Sequence, residues 1–195
     1  MENVVRAYNS VAEEVASSGA CRADYERLML DNRTILEGLN QKEGEEPGSI
    51  RTYSVHVGRY RGAPPEDCEH LLRRLFDWLG EDWGLGRTHA VAEGILKALV
   101  AHLYITWIHP FGDGNGRSAR MTEFRLLMAA GVPLNAAHLL TTHYNDTRDE
   151  YYAALEESSA PREGNPMRFL SYAVQGFVDE LDAHVSFIMK EACTS

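Results

Sequence analysis

The stretch from His109 to Arg120, HPFGDGNGRSAR, combines a base, an acid, glycines and arginines within a short span. Gly112, Gly114 and Gly116 permit backbone angles that other residues disfavour, so successive N–H groups can converge on one point. A helix that begins at about Arg117 would add free N–H donors and the positive end of its dipole. Together these features predict a loop that binds a phosphate chain.

The side chains of this loop supply what backbone donors lack. Arg117 and Arg120 are three positions apart and so share the first helical turn, where guanidinium groups can bind phosphates. Asp113 offers a hard oxygen ligand of the kind that Mg²⁺ prefers. His109 lies at the rim, where an imidazole that titrates near neutrality can accept a hydroxyl proton. Because GxxxxGK(S/T) is absent, the loop differs from a P-loop.

The elements that position this loop are predicted to be mostly helical, because apolar residues recur at helical spacing. The segment His89–Ile108 is apolar nearly all round, which predicts a central buried helix with His102 as a hydrogen-bonded core residue. Pro110 ends this helix because it lacks an N–H, and Phe111 is expected to anchor the loop in the core. The other predicted helices are Val4–Ala16, Tyr25–Leu39, one through Leu71 and Leu79 that follows Pro64, one from Gly116 to about Gly131, one through Tyr151 and Leu155, and one through Phe169 and Ile188.

One segment has a different periodicity of apolar residues. Residues Ile50–Val57, IRTYSVHV, alternate in polarity and are rich in β-formers, with Gly48 before them and Gly58 and Gly62 after them. This pattern predicts a strand in a small hairpin, or flap, at about residues 49–62. A lone hairpin is marginal in water, so it must lie on the helical body. The predicted fold is all-α with one β flap.

Composition limits the class of protein. The 195 residues suffice for one domain, 1–195, with its own core. The net charge of −10, from 29 acidic residues against 19 lysines and arginines, disfavours nucleic acid and anionic membrane surfaces as partners.

Cysteine spacing and hydropathy suggest the compartment. Cys21, Cys68 and Cys193 have neither metal-ligand nor CxxC spacing, which indicates free thiols in a reducing environment. No secretory signal is visible, and no apolar run reaches membrane-spanning length because His102 interrupts Ala98–Ile108. We therefore expect a cytoplasmic protein, although a secreted effector is also compatible with the sequence.

The loop also resembles a known motif. HPFGDGNGRSAR matches HxFx(D/E)GNGRxxR of the Fic family at every defined position. PGSIRTYSVHVG from Pro47 is similar to the Fic flap, and DEYYAALE from Asp149 is similar to the segment that lines the adenine pocket. The likeness covers roughly residues 25–180. It implies a Fic-type helical bundle and a protein adenylyltransferase, which moves AMP from ATP to a Ser, Thr or Tyr hydroxyl of a target protein and releases pyrophosphate.

The resemblance implies a role for each motif residue. His109 would deprotonate the target hydroxyl, and Asp113 would hold Mg²⁺ that bridges the α- and β-phosphates. Asn115, with the N–H groups of Gly114 and Gly116, would stabilise charge on the α-phosphate. The resemblance places the motif arginines on the β- and γ-phosphates: these are Arg117 and Arg120.

Two further features of the family apply to other segments. Tyr151 or Tyr152 would contact adenine, although Ser158 and Ser159 stand where family members often carry Asn. The flap strand would bind part of the target protein by pairing with an extended segment.

Several alternatives stay open. The loop could be a structural turn, in which Arg120 pairs with Glu123. A reversed activity, removal of AMP, needs an inhibitory glutamate; Glu37 is the candidate, but Arg33 stands where the inhibitory motif has Ser or Thr. A nucleotide-binding module without turnover is a third option, and regulation by an inhibitory partner or a homo-oligomer is compatible with the sequence. His138 and His143 are expected to have surface or packing roles.

Overall fold

The computed structural model describes residues 2–19, 21–41, 45–58, 60–159 and 164–194, with side chains as far as residue 190. In this part of the chain the fold consists of helices and one two-stranded antiparallel sheet, which confirms the predicted all-α class with a small β-hairpin. The elements are α1 (Glu2–Ser18), α2 (Tyr25–Leu36), β1 (His56–Val57), β2 (Tyr60–Arg61), α3 (Pro65–Gly80), a 3₁₀ turn (Arg87–His89), α4 (Ala90–Ile108), α5 (Asn115–Ala129), α6 (Leu134–Ala137), α7 (Leu139–Asp146), α8 (Arg148–Ser158) and α9 (Met167–Thr194).

The chain forms two compact units, Met1–Val132 and Pro133–Ser195. In the first unit, α5 packs against α1, α2 and α4, while α3 packs against α2 and α4. In the second unit, α9 packs against α7 and α8. The first unit contains the whole predicted phosphate loop, and the single domain 1–195 stays a prediction.

Helix α4 is the core of the first unit. Its buried residues include Ala98, Leu99, Leu103 and Ile105, each with no exposed surface. The segment Arg87–Ile108 is long and apolar enough, by composition, to cross a membrane, so the expectation that no run reaches that length was wrong. A buried core helix meets the same criteria, and α4 has that position between α3 and α5.

A buried cluster of charges fixes α5 against the N-terminal helices. The Arg125 guanidinium binds Asp31 of α2 through two bonds, Nε–Oδ2 at 2.6 Å and Nη2–Oδ1 at 2.9 Å. Its Nη1 donates to Glu14 Oε2 of α1 at 2.8 Å. A buried guanidinium needs such partners, because an unpaired buried charge is strongly destabilising. The cluster therefore sets the position of the helix that begins at the phosphate loop.

The flap is shorter than the sequence predicts. Only His56–Val57 and Tyr60–Arg61 are strands, paired in the register His56↔Arg61 and Val57↔Tyr60, whereas residues 50–55 are irregular. The ladder fails there because the backbone of this segment bonds elsewhere: the Arg51 N–H donates to Pro110 O at 2.9 Å. Position 59 of the predicted flap lies outside the described residues.

Helix ends also differ from the predictions. Helix α2 ends at Leu36 rather than Leu39, because Glu37 leaves helical angles and Gly38 has φ +69°. Helix α5 begins at Asn115, two residues before the predicted start, after Gly114 at φ +79°. The short helices α6 and α7 follow Pro133 and were not predicted.

The thiols agree with the prediction as far as they are described. Cys21 and Cys68 are free, and the side chain of Cys193 lies outside the described residues.

Candidate active site

One open pocket in the first unit collects the residues that the motif singles out. Its cavity volume is about 270 Å³. The lining residues are His109, Gly112, Asp113, Gly114, Asn115, Gly116, Arg117 and Arg120. The pocket is bounded by the C-terminal end of α4 on one side and by the N-terminal turn of α5 on the other. The α5 end of the pocket has free N–H groups, since the first turn of a helix lacks intrahelical acceptors.

His109 ends α4 in an unusual backbone conformation. It is the C-cap residue, with φ 51° and ψ 57°, and it is the only non-glycine residue with positive φ in the part of the chain that is described. Its half-buried ring places Nδ1 3.3 Å from Thr106 O. Because a carbonyl only accepts, this bond requires a proton on Nδ1, which leaves the Nε2 lone pair of the neutral ring free. Burial lowers the pKa of His109, and the nearby Arg51 charge lowers it further, while the Thr106 bond opposes both.

Gly114, the loop glycine with a left-handed backbone conformation, packs against Asn32 of α2. Gly114 has φ +79°, and a Cβ added there would lie 3.0 Å from Asn32 Nδ2. The buried Asn32 amide donates to Asp113 O and to Ser118 Oγ, both at 3.1 Å, and accepts from the Gly48 N–H at 2.9 Å. Asn32 therefore ties α2 to the loop and to the segment before the flap.

The buried Asn115 side chain stabilises the loop through two hydrogen bonds to its backbone. Its Oδ1 accepts from the Phe111 N–H at 2.9 Å, and its Nδ2 donates to Phe111 O at 2.8 Å. Phe111 is 1% exposed, so it anchors the loop as expected. The Asn115 side chain is thus engaged with the backbone in this state, whereas its own N–H belongs to the open first turn of α5.

The charged side chains of the pocket differ in their partners. Asp113 Oδ2 accepts from Arg117 Nη2 at 2.9 Å, and both side chains are partly exposed. Arg120 makes no hydrogen bond or ion pair with any residue that the structure describes. Glu123, the alternative partner of Arg120, instead has Oε2 3.2 Å from the buried Nδ1 of His102. The structure therefore gives no support to a purely structural Arg120, and it places His102 in the core as expected.

Other candidate residues lie away from this pocket. Glu37 forms an ion pair with Arg6 of α1, and its carbonyl accepts from Asn3 Nδ2 at 2.6 Å. Its carboxylate thus has a partner on α1 and pairs with neither motif arginine.

Tyr151 and Tyr152 lie in the second unit, on α8. Tyr151 is 4% exposed and packs among aromatic rings, with its centroid 5.0 Å from that of Tyr144. Tyr152 is 51% exposed, and the Arg148 guanidinium lies 5.7 Å from its ring centroid. Of the pair, only Tyr152 presents a ring to solvent. His143 has the packing role that was expected, since its ring centroid lies 4.8 Å from that of Tyr172.

Sequence reasoning missed two buried residues that support the site, Asn32 and Arg51. Arg51 is 4% exposed and its Nε donates to His109 O at 2.7 Å. The available signal was local: a polar residue on the apolar face of α2, and a cation inside a segment of β-formers. Their partners at the site, Asp113 and Ser118 for Asn32 and His109 for Arg51, are between 58 and 86 residues away in sequence, so these contacts could not be read from spacing.

Comparison with known proteins identifies the fold and then the family. The helical body with its hairpin has the fold of a Fic family protein from Desulfovibrio desulfuricans G20, with TM-score 0.73 and 22% identity, over 95% of this chain and 52% of that one. A Fic-1 fragment from C. elegans matches with TM-score 0.67 and 22% identity, over 98% of this chain and 51% of that one. The model of the Fic/DOC family matches residues 24–127. The chain belongs to the Fic/DOC family.

Curated relatives carry names that describe an activity. The chain is 35% identical to "Protein adenylyltransferase fic-1" of Caenorhabditis elegans over 136 residues, which are 68% of this chain and 24% of that protein. It is 29% identical to "Protein adenylyltransferase Fic" of Nematostella vectensis over 141 residues, 72% of this chain and 30% of that protein. The chain therefore spans less than a third of the length of these relatives.

Proposed function

We propose that this protein transfers AMP from ATP to a Ser, Thr or Tyr hydroxyl of a target protein and releases pyrophosphate. The observation that carries the proposal is one pocket lined by His109, whose Nδ1 is engaged with Thr106 O, by the first turn of α5, and by Arg120, which has no hydrogen bond or ion pair among the described residues. The names of the curated relatives support the same reaction class.

The reaction needs a base, an anion site and in-line geometry. His109 Nε2 takes the proton of the target hydroxyl, whose oxygen forms a bond to the α-phosphorus. The bond from the α-phosphorus to the bridging oxygen breaks, and its electron pair leaves on pyrophosphate. Because hydrogen bonds from Asn32 and Asn115 hold the loop backbone, its donors are in place before charge develops on the phosphates, which is how phosphoryl-type transfers gain most of their rate.

The arrangement of donors suggests how the phosphates bind. The N–H groups of Asn115 and Gly116 suit the α-phosphate, while Arg120 and Arg117 suit the β- and γ-phosphates. The Gly114 N–H donates to Asp113 Oδ1 at 2.6 Å and joins the α-phosphate site when it exchanges that acceptor for the nucleotide. The Asn115 amide acts chiefly by holding the loop through Phe111, so its backbone N–H is the group that reaches the nucleotide.

The residues present fit a magnesium ion that is shared with the nucleotide. Asp113 has a side chain that is 51% exposed, at the edge of the pocket. Among the described residues no cluster of three or more His, Cys, Asp or Glu could hold a metal alone, so Asp113 would hold Mg²⁺ together with phosphate oxygens. When bound, the ion would neutralise charge on the phosphates. Arg117 must release the Asp113 carboxylate for this, which couples the arginine to metal binding.

Two parts of the proposal concern recognition. The flap strand offers an edge to an extended segment of the target protein. The exposed ring of Tyr152 is the better candidate of the tyrosine pair for a contact with adenine. Substituting Tyr152 by Ala should weaken the affinities for AMP and for ATP equally, because the adenine ring is common to both nucleotides.

The decisive test follows the label from ATP. The protein is incubated with a cell lysate and with ATP labelled in either the α- or the γ-phosphate, and the products are analysed by mass spectrometry. We expect the α-label and an added adenylate on hydroxyl side chains. Transfer of the γ-label would instead show a kinase, and loss of adenylate from a pre-modified target would show the reverse reaction.

The matched variant is His109→Ala. Loss of a general base costs on the order of 10²–10⁴ in rate. ATP affinity should persist, because the imidazole contacts the attacking hydroxyl rather than the phosphates. A variant that labels proteins at the wild-type rate would contradict the role of His109.

A further inference from the structure

Arg51 is a buried cation whose hydrogen-bond partners are backbone carbonyls and the Cys68 thiol, whose Sγ lies 3.7 Å from Nη2. Its Nε donates to His109 O at 2.7 Å, Nη1 donates to Tyr53 O, and Nη2 donates to Ala63 O. Ile108 O lies 3.4 Å from Nη2. Within the described residues no carboxylate pairs with this guanidinium, in contrast to the buried Arg125.

These carbonyls belong to two parts of the first unit. Two of them end α4, where the last turn of a helix leaves carbonyls without intrahelical donors and carries partial negative charge. The other two belong to the two arms of the flap. The arms come close at Gly62, where an added Cβ would lie 3.1 Å from Arg51 Nη2 and 3.2 Å from His109 Cβ. Arg51 therefore joins the base of the flap to the end of the helix that presents His109.

The backbone of His109 needs such support. A left-handed conformation is strained for a non-glycine residue and persists only where the surroundings fix it. Pro110 disfavours helical angles at the residue before it, which explains why the chain leaves the helix here. The hydrogen bond from Arg51 Nε to His109 O, and that from the Arg51 N–H to Pro110 O at 2.9 Å, fix the peptide units on either side of this turn.

We propose that Arg51 is a positioning residue, which holds the His109 backbone in its left-handed conformation and so directs the imidazole into the phosphate pocket. The proposal rests on the proposed function, in which His109 is the base. Arg51 is not itself among the residues that line the phosphate pocket; it acts through its hydrogen bond to His109.

The charge of Arg51 has a second consequence for the same ring. Burial lowers the pKa of His109 first, the Thr106 bond opposes this, and the Arg51 cation adds to the lowering, so the ring is held in the neutral form that can accept a proton. Loss of the cation should raise the pKa of His109. Other titratable or charged groups lie around this end of α4. They include Cys68 and Arg74 of α3, Tyr60 of β2, Tyr104 of α4, Glu45 and Tyr53 beside Gly112, and Asp113, Arg117 and Arg120 of the pocket.

Two substitutions separate position from charge. Arg51→Met removes both the donors and the cation, whereas Arg51→Lys keeps the cation and loses the planar fork that reaches several carbonyls. The control is Arg73→Met, which removes an arginine of α3 that binds the carboxylates of Glu26 and Glu69 and does not contact His109.

The first measurement needs no turnover. The His109 Cε1–H resonance, assigned with His109→Gln, is titrated by NMR in the nucleotide-free protein. We expect a higher pKa of His109 in Arg51→Met than in wild type, a value near wild type in Arg51→Lys, and no change in Arg73→Met. Circular dichroism confirms that each variant is folded; where Arg51→Met fails to fold, the comparison is between Arg51→Lys and wild type in the rate measurement.

The second measurement is the rate of AMP transfer as a function of pH. Misplacement of a catalytic group by about 1 Å can cost about 10²-fold, so both Arg51 variants should lose kcat on that scale while KM for ATP changes little. The acid limb of the profile should move to higher pH in Arg51→Met alone. Arg73→Met should retain the wild-type kcat per folded molecule.

The outcomes distinguish this inference from the proposed function. An Arg51→Lys variant with wild-type kcat would overturn the positioning role, as would an Arg51→Met variant with wild-type kcat and an unshifted His109 titration. A wild type that transfers no AMP, but whose His109 titration shifts in Arg51→Met, would overturn the proposed activity and support the link between Arg51 and His109.

Discussion

At the scale of single residues, the site depends on which charges already have partners. Asp113 and Arg117 neutralise each other at 2.9 Å, whereas Arg120 is unpaired within the described part of the chain. A phosphate chain can bind Arg120 without breaking an existing ion pair. The phosphate chain competes with the Asp113 carboxylate for Arg117, unless Mg²⁺ binds that carboxylate at the same time. The two arginines should therefore contribute unequally to nucleotide affinity.

Replacing Arg120 by Ala should weaken the affinity for ATP about tenfold or more, because a charged hydrogen bond contributes about 1.5–3 kcal/mol. AMP affinity should stay near wild type, since AMP lacks the phosphates that Arg120 binds. In the presence of Mg²⁺, Arg117→Ala should lose less ATP affinity than Arg120→Ala, because Arg117 is already paired with Asp113. Calorimetry with ATP, ADP and AMP measures these differences, and Arg73→Ala on the exposed face of α3 is the control. Equal losses for AMP and ATP would show that the phosphates bind in another orientation.

At the scale of elements, the loop needs glycine at some positions more than at others. Gly114 has φ +79° and close contact with Asn32, so an added Cβ there meets both backbone strain and a fixed neighbour. Gly116 lies inside the first turn of α5, where an added Cβ meets only Arg120 Nη1 at 3.8 Å.

These two positions give a matched pair of substitutions. Gly114→Ala should lower the free energy of unfolding by roughly 1–2 kcal/mol, because a left-handed conformation is unfavourable for a residue with a Cβ. Gly116→Ala should leave it unchanged or raise it by up to about 1 kcal/mol, because alanine favours a helix more than glycine does. Urea denaturation of both variants measures the difference. Equal destabilisation would mean that the loop is not held in the conformation described.

The flap shows how tertiary contacts override a local pattern. The alternation in IRTYSVHV predicts a strand over Ile50–Val57, yet only His56 and Val57 pair as a strand. The Arg51 side chain donates to the end of α4, and the Arg51 N–H donates to Pro110 O. These bonds keep residues 50–55, which precede His56, from pairing as a strand. β-Propensity describes a half-buried surface and does not anticipate a cation that binds helix carbonyls.

At the scale of the whole molecule, two histidines with lowered pKa values make stability depend on pH. Burial lowers the pKa of His109 in the first unit, and burial lowers that of His138 in the second unit. A group whose folded pKa lies below its unfolded value binds more protons when unfolded, so stability rises with pH through this range. The contribution is present above the unfolded histidine pKa of about 6.5 and is lost as pH falls through the lower folded values.

We therefore expect each unit to be less stable at pH 5.5 than at pH 8. His109→Gln should reduce this dependence in the first unit, and His138→Gln should reduce it in the second. Urea denaturation followed by hydrogen exchange, which reports the two units separately, measures both. A stability that rises as the solution is made more acidic would contradict the direction of these pKa shifts.

The amino-acid sequence by itself determined the helical class, the place of the hairpin and the residues of the phosphate loop. Helical periodicity, glycine spacing and Pro110 are local properties, and so they act within a few residues of where they are read. Only the tertiary structure decided which of those residues are free to act. It pairs Asp113 with Arg117, leaves Arg120 unpaired within the described residues, and supports the loop and His109 from Asn32 and Arg51. The physical reason is that burial and hydrogen bonding depend on neighbours in space, which a one-dimensional pattern does not contain.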